Sequence, residues 1–117
     1  MSLTSKVESI ADKQVVITIT GSMSVGSPLK VLDAQMQNLV SNGVHRLVLD
    51  MTEVDFMDSS GLGLLMLVRG LLNKQGSMLR LCGTQGRVRA LLRMTKTDTL
   101  LNIDESLEDS LKALKQV

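Results

Sequence analysis

Aromatic residues are almost absent from this sequence, because its 117 residues contain one Phe and no Trp or Tyr. A surface that stacks nucleic-acid bases needs such rings, and the formal net charge of +1 gives no attraction for nucleic acid or an anionic membrane. The 44% of hydrophobic residues can still form a core, which Leu, Val, Ile and Met must fill. We therefore expect a folded protein that has no nucleic-acid partner.

Cysteine, histidine and long apolar runs are equally scarce. Cys82 has no second cysteine for an internal disulfide, and His45, the one histidine, cannot form a Cys/His metal cluster. No apolar run reaches about 18 residues, and the N-terminal segment has neither a basic region nor a long apolar region. These absences predict a soluble, unprocessed protein of the reducing cytoplasm, with no membrane insertion, metal or cofactor. We interpret Cys82 as a buried small hydrophobic residue and His45 as a surface residue.

The predicted secondary structure alternates between strands and helices along a chain with the length of one domain, residues 1–117. Short runs of β-branched and apolar residues predict strands at 14–20, 45–51, 77–83 and 99–103, with a weaker strand at 6–10. Capping signals and apolar spacing predict four helices that begin near Ser27, Asp58, Thr84 and Ser106. This order implies an α/β domain in which about four helices pack on a mixed, mostly parallel sheet of four to five strands. The continuous apolar strand at 45–51 should be central.

Four further signals define ends of the first three predicted helices. Pro28 would take the first helical position behind a Ser27 cap, and Thr84 would cap the third helix. Gly43 and Gly76 suit the left-handed conformation that follows the last turn of a helix. The first two helices should therefore end at these glycines.

The segment DSSGLGLL, which begins at Asp58, places two serines between an acidic residue and a glycine at the start of an apolar helix. One interpretation is structural. Asp58, Ser59 or Ser60 would accept hydrogen bonds from the free N–H groups of the first turn. Gly61 and Gly63 would let the helix start pack closely on the sheet.

Helix capping is compatible with a chemical role, and three chemical interpretations of the serines are considered beside it. A nucleophilic serine needs a nearby base and usually a G-x-S-x-G turn, which neither Ser59 nor Ser60 has. The GLG at 61–63 is only a fragment of the known phosphate-binding loops. A serine at a helix N-terminus can, however, accept a phosphate, because the helix dipole and the free amides tolerate the added charge.

The sequence MDSSGLGLL follows the strand HRLVLDM and the acidic turn TEVDF, and this arrangement resembles the STAS domains of bacterial anti-sigma factor antagonists. The resemblance covers nearly the entire chain in element order. It implies a protein-binding module and not an enzyme. In that family the serine directly after the aspartate is phosphorylated by a partner that is both a serine kinase and an anti-sigma factor. By position this serine is Ser59.

The resemblance also implies a switch. The unphosphorylated antagonist binds the anti-sigma factor serine kinase and frees the sigma factor, phosphorylation breaks the complex, and a PP2C-like phosphatase restores it. Asp58 would orient the Ser59 hydroxyl or cap the helix, while Ser60 and Gly61 would shape the turn of this phosphosite loop.

One segment departs from the family pattern. Many relatives follow the first long strand with glycine, an acidic residue, an aliphatic residue and aspartate, whereas this chain has serines at Ser22 and Ser24. A rebuilt partner surface would use these two serines for contact with the kinase. The alternative is a STAS module that binds without phosphorylation, in a transporter, lipid-trafficking or signalling complex.

The second predicted helix is apolar almost all round. At helical spacing, one stripe contains Leu62, Leu65, Met66 and Leu72, and a second stripe contains Leu64, Leu67, Val68 and Leu71. One stripe should face the sheet, and the other is either covered by a neighbouring helix or exposed beside Ser59. We place the second stripe partly on the surface and predict that it binds the partner.

Overall fold

Five strands form one sheet in the computed structural model, which describes residues 2–115. They are β1 (Leu3–Ala11), β2 (Gln14–Met23), β3 (Arg46–Met57), β4 (Met78–Cys82) and β5 (Asn102–Asp104). The strands lie side by side in chain order; β1 and β2 are antiparallel, and the other neighbours are parallel. The prediction of a mixed, mostly parallel sheet with a central strand at 45–51 is confirmed.

Helices connect the parallel strands, as parallel pairing requires. Residues 2–115 contain four helices, which are α1 (Ser27–Ser41), α2 (Ser59–Lys74), α3 (Gly86–Met94) and α4 (Leu107–Lys115). A 3₁₀ turn covers Thr97–Thr99. The predicted α/β class and helix number are confirmed. None of these helices is both long and apolar enough to cross a membrane, within the range 2–115.

The main core lies on one face of the sheet. Alternate residues of β2 and β3, such as the fully buried Ile17 and Leu49, pack with the buried residues of α1, α2 and α3. On the opposite face α4 covers a smaller cluster, which contains Val16, Val48, Cys82 and Leu114. Cys82 is therefore a buried residue, as predicted.

A polar contact joins α4 to the sheet. The Arg80 guanidinium donates two hydrogen bonds to Asp104, with Nε–Oδ2 at 2.8 Å and Nη2–Oδ1 at 3.0 Å. The buried Ser110 hydroxyl of α4 donates to the same carboxylate at 2.6 Å. The Arg80 hydrogen bonds are the main cause that lowers the pKa of Asp104 from its ordinary value. The charge of Asp104 thus helps to hold both Arg80 and α4.

Several predicted helix ends are correct. Gly43 and Gly76 have positive φ values of 89° and 70° and follow α1 and α2 closely. Ser106 caps α4, because the Asp109 N–H donates to its hydroxyl at 3.1 Å. Glycine fits positions 43 and 76 because it has no Cβ atom that would disfavour the left-handed backbone conformation.

The caps predicted for α1 and α3 are wrong. Ser27 is the first residue of α1, so the cap position belongs to Gly26 and Pro28 moves to the second helical position. Thr84 is buried and lies one residue before the cap position of α3, which Gln85 occupies. The Gln85 side-chain amide donates to the Thr52 carbonyl at 2.8 Å and so ties the start of α3 to β3.

The segment expected to be an acidic turn is part of β3. Glu53 and Asp55 are exposed on either side of the buried Val54, and all three belong to the stretch of β3 that pairs irregularly with the end of β2. The predicted strand at 99–103 is also displaced, because the 3₁₀ turn takes its first residue and β5 begins at Asn102. The acidic residues thus lie on the solvent side of a strand.

Candidate functional site

The predicted serine segment lies at the edge of the sheet where the parallel strands β2 and β3 end. These strands end at Met23 and Met57, and the Asp58 N–H donates to the Met23 carbonyl at 3.2 Å. Loops at the carboxyl ends of parallel strands form the binding sites of many α/β proteins. The start of α2 and the β2–α1 loop, residues 24–26, therefore belong to one surface.

The Asp58 carboxylate joins this loop to α2. Its Oδ1 atom accepts hydrogen bonds from the N–H groups of Ser60 at 2.8 Å and Gly61 at 3.1 Å. Its Oδ2 atom accepts one from the N–H of Val25 at 3.0 Å. We call these three hydrogen bonds the Asp58 bridge.

The Asp58 bridge explains the ionisation of the carboxyl group. The hydrogen bond from Val25 is the largest cause that lowers the pKa of Asp58, burial opposes it, and the bonds from Gly61 and Ser60 lower it further. Of the two predicted roles, helix capping is the one observed. Within residues 2–115 the carboxylate makes no hydrogen bond to the Ser59 hydroxyl.

Ser59 and Ser60 are the first two residues of α2, and both are exposed. Gly61 behind them is buried, and a Cβ atom there would collide with the Met23 carbonyl oxygen and lie 2.8 Å from Met57 Cγ. The close packing predicted for Gly61 is confirmed, whereas the same prediction for Gly63 is wrong, because Gly63 is exposed and a Cβ there would meet no atom within 4 Å. The turn thus presents Ser59 to solvent on a tightly fixed backbone.

A groove of about 270 Å³ lies between α1 and α2, beside Ser60. We call it the α1–α2 groove, and its lining residues are Val25, Gly26, Leu29, Lys30, Asp33, Ser60, Gly63, Leu64 and Leu67. Among them Val25 and Leu67 are exposed hydrophobic side chains, at 76% and 46% of their full surface. The groove therefore offers apolar surface to a partner next to the serines.

The predicted partner-binding stripe on α2 needs correction. Leu67 lies on the surface as expected, but Leu64 and Val68 are buried and Leu71 is half-buried against the core. The physical reason is that α1 packs beside α2, so a neighbouring helix covers part of the stripe. Leu67 is the member of the stripe that offers most of its surface to a partner.

The surface position expected for Ser22 is wrong, and that of Ser24 is partly right. β2 continues to Met23, past its predicted end at Thr20, so Ser22 is still in the sheet and is buried. Its N–H donates to the carbonyl of Ser2 at 2.9 Å, and its Oγ lies 3.2 Å from the Oγ of Ser24. Ser24 is half-buried.

Val25 is the site residue that the sequence reasoning missed. It is an apolar residue between Ser24 and Gly26, in a loop segment whose other residues are small. An exposed hydrophobic residue just before a helix is the signal that could have identified it. In the structure it lines the α1–α2 groove together with Leu67.

Comparison with known proteins identifies the family. A family model described as the STAS domain matches residues 4–110. The chain belongs to the STAS domain family. The STAS resemblance predicted from DSSGLGLL is therefore confirmed.

Three solved structures have the same fold as this STAS domain. An anti-sigma factor antagonist from Mycobacterium paratuberculosis is 23% identical, with a TM-score of 0.83 over 97% of this chain and 95% of that chain. The anti-sigma factor antagonist SpoIIAA in its unphosphorylated form is 18% identical, with a TM-score of 0.78 over 97% and 100%. The phosphorylated form of SpoIIAA, a Bacillus cell fate determinant, is 17% identical, with a TM-score of 0.76 over 95% and 99%. These likenesses establish the fold.

Proposed function

We propose that this STAS domain is a cytoplasmic anti-sigma factor antagonist, a protein-binding switch without enzymatic activity that is controlled by phosphorylation of Ser59. The unphosphorylated domain would bind an anti-sigma factor serine kinase and so free the sigma factor. Phosphorylation would release the kinase, and a PP2C-like phosphatase would restore binding. The observation that carries the proposal is the exposure of Ser59 directly after the carboxylate that fixes the first turn of α2.

The chemistry of the turn suits a phosphate acceptor. The Ser59 hydroxyl oxygen would take the γ-phosphoryl group of ATP and lose its proton, while ADP leaves. The phosphate carries a charge of about −1.5 to −2 at neutral pH, and the helix dipole contributes about 0.3 to 1 kcal/mol in favour of an anion at this position. The domain should therefore remain folded after the transfer.

The neighbouring surface explains how such a charge would act. Val25 and Leu67 give a partner apolar contacts beside the serines. A partner that covers them would also desolvate a phosphate on Ser59, and a loss of about 3 kcal/mol is already more than a hundredfold in affinity. The similarity to SpoIIAA in both phosphorylation states agrees with a fold that holds either form.

The intact mass of the protein purified from its own cells tests this proposal. A mass increase of one phosphate, mapped to Ser59 and removed by a PP2C-type phosphatase, is the expected result. The Ser59→Ala variant should show no such increase, whereas Ser60→Ala should keep it. A phosphate found only on Ser60 would reject the proposal.

Ser22 and Ser24 favour a second candidate function. By the family resemblance they stand where many relatives have acidic residues, and Ser22 is buried, so this segment offers the kinase no carboxylates and little of its hydroxyl surface. A STAS module that binds constitutively in a transporter, lipid-trafficking or signalling complex would not need carboxylates for contact with a kinase. Such a module should bind its partner equally well as Ser59→Ala and as Ser59→Asp.

A further inference from the structure

The two oxygen atoms of Asp58 serve different parts of the fold. Oδ1 holds the first turn of α2 through Ser60 and Gly61, and Oδ2 holds the β2–α1 loop through Val25. The Val25 side chain forms one wall of the α1–α2 groove. The position of that wall therefore depends on a carboxylate that belongs to the neighbouring helix.

Ser59 lies directly between Asp58 and the two amides that Asp58 caps. A phosphate on Ser59 would bring three strong acceptor oxygens and a charge of about −1.5 to −2 to this same turn. The carboxylate and the phosphate are both anions, so they repel each other and compete for the same N–H groups. The phosphate has the larger charge and should displace the carboxylate.

We propose that the Asp58 bridge is the link through which phosphorylation of Ser59 releases the β2–α1 loop and moves Val25 away from the α1–α2 groove. This inference rests on the proposed function and adds an internal change to the direct repulsion of the partner. In the unphosphorylated domain, Val25 and Leu67 both line the groove. After phosphorylation only Leu67 keeps its place, because it is carried by α2 itself.

Amide hydrogen exchange, measured by NMR, tests the link without any kinase. Phosphoserine is incorporated at position 59 during translation, and the exchange rates are compared with those of the unmodified domain. We expect the Val25 amide to exchange at least about tenfold faster in the phosphorylated domain, since it loses a charge-assisted hydrogen bond. The Asn42 amide at the far end of α1, bonded to the Asn38 carbonyl at 3.0 Å, should not change.

The Asp58→Ala variant separates the bridge from other effects of the phosphate. Its Val25 amide should already exchange fast, and phosphoserine at position 59 should accelerate it no further, because the two changes act through one group. Asp58→Asn keeps an acceptor oxygen without the charge and should show an intermediate rate. It also replaces Asp58→Ala if the alanine variant does not fold.

Two results would overturn the inference. One is a Val25 exchange rate that phosphoserine leaves unchanged in the otherwise native domain. The other is an equal acceleration by phosphoserine in the native and Asp58-substituted domains. Because the phosphoserine is built in, either result leaves open whether a kinase modifies Ser59. If the kinase does not phosphorylate Ser59, the proposed function is wrong, but the measured effect of phosphoserine on the Val25 amide still holds.

Discussion

The Oδ2 atom of Asp58 accepts a hydrogen bond at 3.0 Å from the backbone N–H of Val25, which lies 33 residues earlier in the chain. The same side chain caps α2, so its removal should cost both a helix cap and a contact between loops. We expect Asp58→Ala to lower the free energy of unfolding by about 1 to 2 kcal/mol, as measured by urea denaturation. The control Asp55→Ala removes an exposed carboxylate of β3 and should change it by less than about 0.5 kcal/mol. Equal effects would contradict the role of Asp58.

The lowered pKa of Asp58 predicts an acid-sensitive contribution to stability. A carboxyl group whose pKa is lower in the folded state stabilises the fold above the pKa of the unfolded state, here 3.8, and loses this contribution as the pH falls through the folded value. Wild type should therefore lose more stability than Asp58→Asn between about pH 5 and pH 2. Urea titrations at several pH values measure the free energy of unfolding of both proteins. If the two free energies fall in parallel with pH, Asp58 does not contribute to the acid sensitivity.

Charge at Ser59 should control partner binding. Ser59→Asp should fold normally and bind the anti-sigma kinase at least about a hundredfold more weakly, because the interface must desolvate a carboxylate. Ser59→Ala should bind but accept no phosphate from the kinase and ATP. Calorimetry measures the affinities, and mass spectrometry maps the phosphate. Ser60→Ala serves as the matched control and should still be phosphorylated; equal affinities of wild type and Ser59→Asp would reject the mechanism.

Leu67 should anchor the partner without supporting the core. Leu67→Lys should weaken kinase binding by about 1 to 4 kcal/mol while the melting temperature stays nearly constant, as expected of an exposed interface residue. Val31, a residue of α1 that is 68% exposed and does not line the α1–α2 groove, supplies the control Val31→Lys, which should bind normally. Leu71→Lys should instead lower the melting temperature, because Leu71 packs against the core. A similar loss of binding for Val31→Lys would show that the groove is not the contact.

The reaction rate of the buried Cys82 thiol should show how firmly α4 is attached to the sheet. Burial is the main cause that raises the pKa of this thiol to about 11, so only about one molecule in ten thousand is ionised at pH 7. Ser110→Ala removes the hydrogen bond that joins α4 to Asp104 and should increase the reaction rate with a thiol reagent about fivefold, against the smaller effect of losing the Ser110 hydrogen bond that lowers the pKa of the thiol. Ser5→Ala also removes a side-chain hydrogen bond, to Gln35, and should leave the rate unchanged. Equal rates for Ser110→Ala and wild type would show that this bond does not hold α4.

Most of the fold could be predicted because its signals are local. Apolar runs identified the buried strands, and glycines with left-handed geometry marked the ends of α1 and α2. The errors arose where polar residues occur inside regular structure. Glu53 and Asp55 suggested a turn although they are exposed residues of β3 on either side of the buried Val54, and Thr84 resembled a cap although it is buried.

The site was predicted less completely because its contacts join distant segments. The exposed Ser59 and the capping Asp58 follow from one short sequence, whereas the Val25 contact depends on how β2 and β3 align. Their pairing shifts at two irregularities, between Thr18 and Thr20 and between Gly21 and Ser22, which hydrophobic patterns do not encode. Burial of Leu64 likewise depends on the packing of α1 against α2.

The hydrogen bond from the Ser22 N–H to the Ser2 carbonyl has a practical consequence for labelling. It places residue 2 at the edge of the sheet that carries Ser59, so an affinity tag or fluorescent protein joined before residue 2 would emerge beside the surface proposed for the kinase. Lys115 instead lines a pocket with Gln14, the first residue of β2, at the end of the strands opposite to Ser59. Surface immobilisation through the end of α4 therefore leaves the serine side of the domain open to a partner in solution.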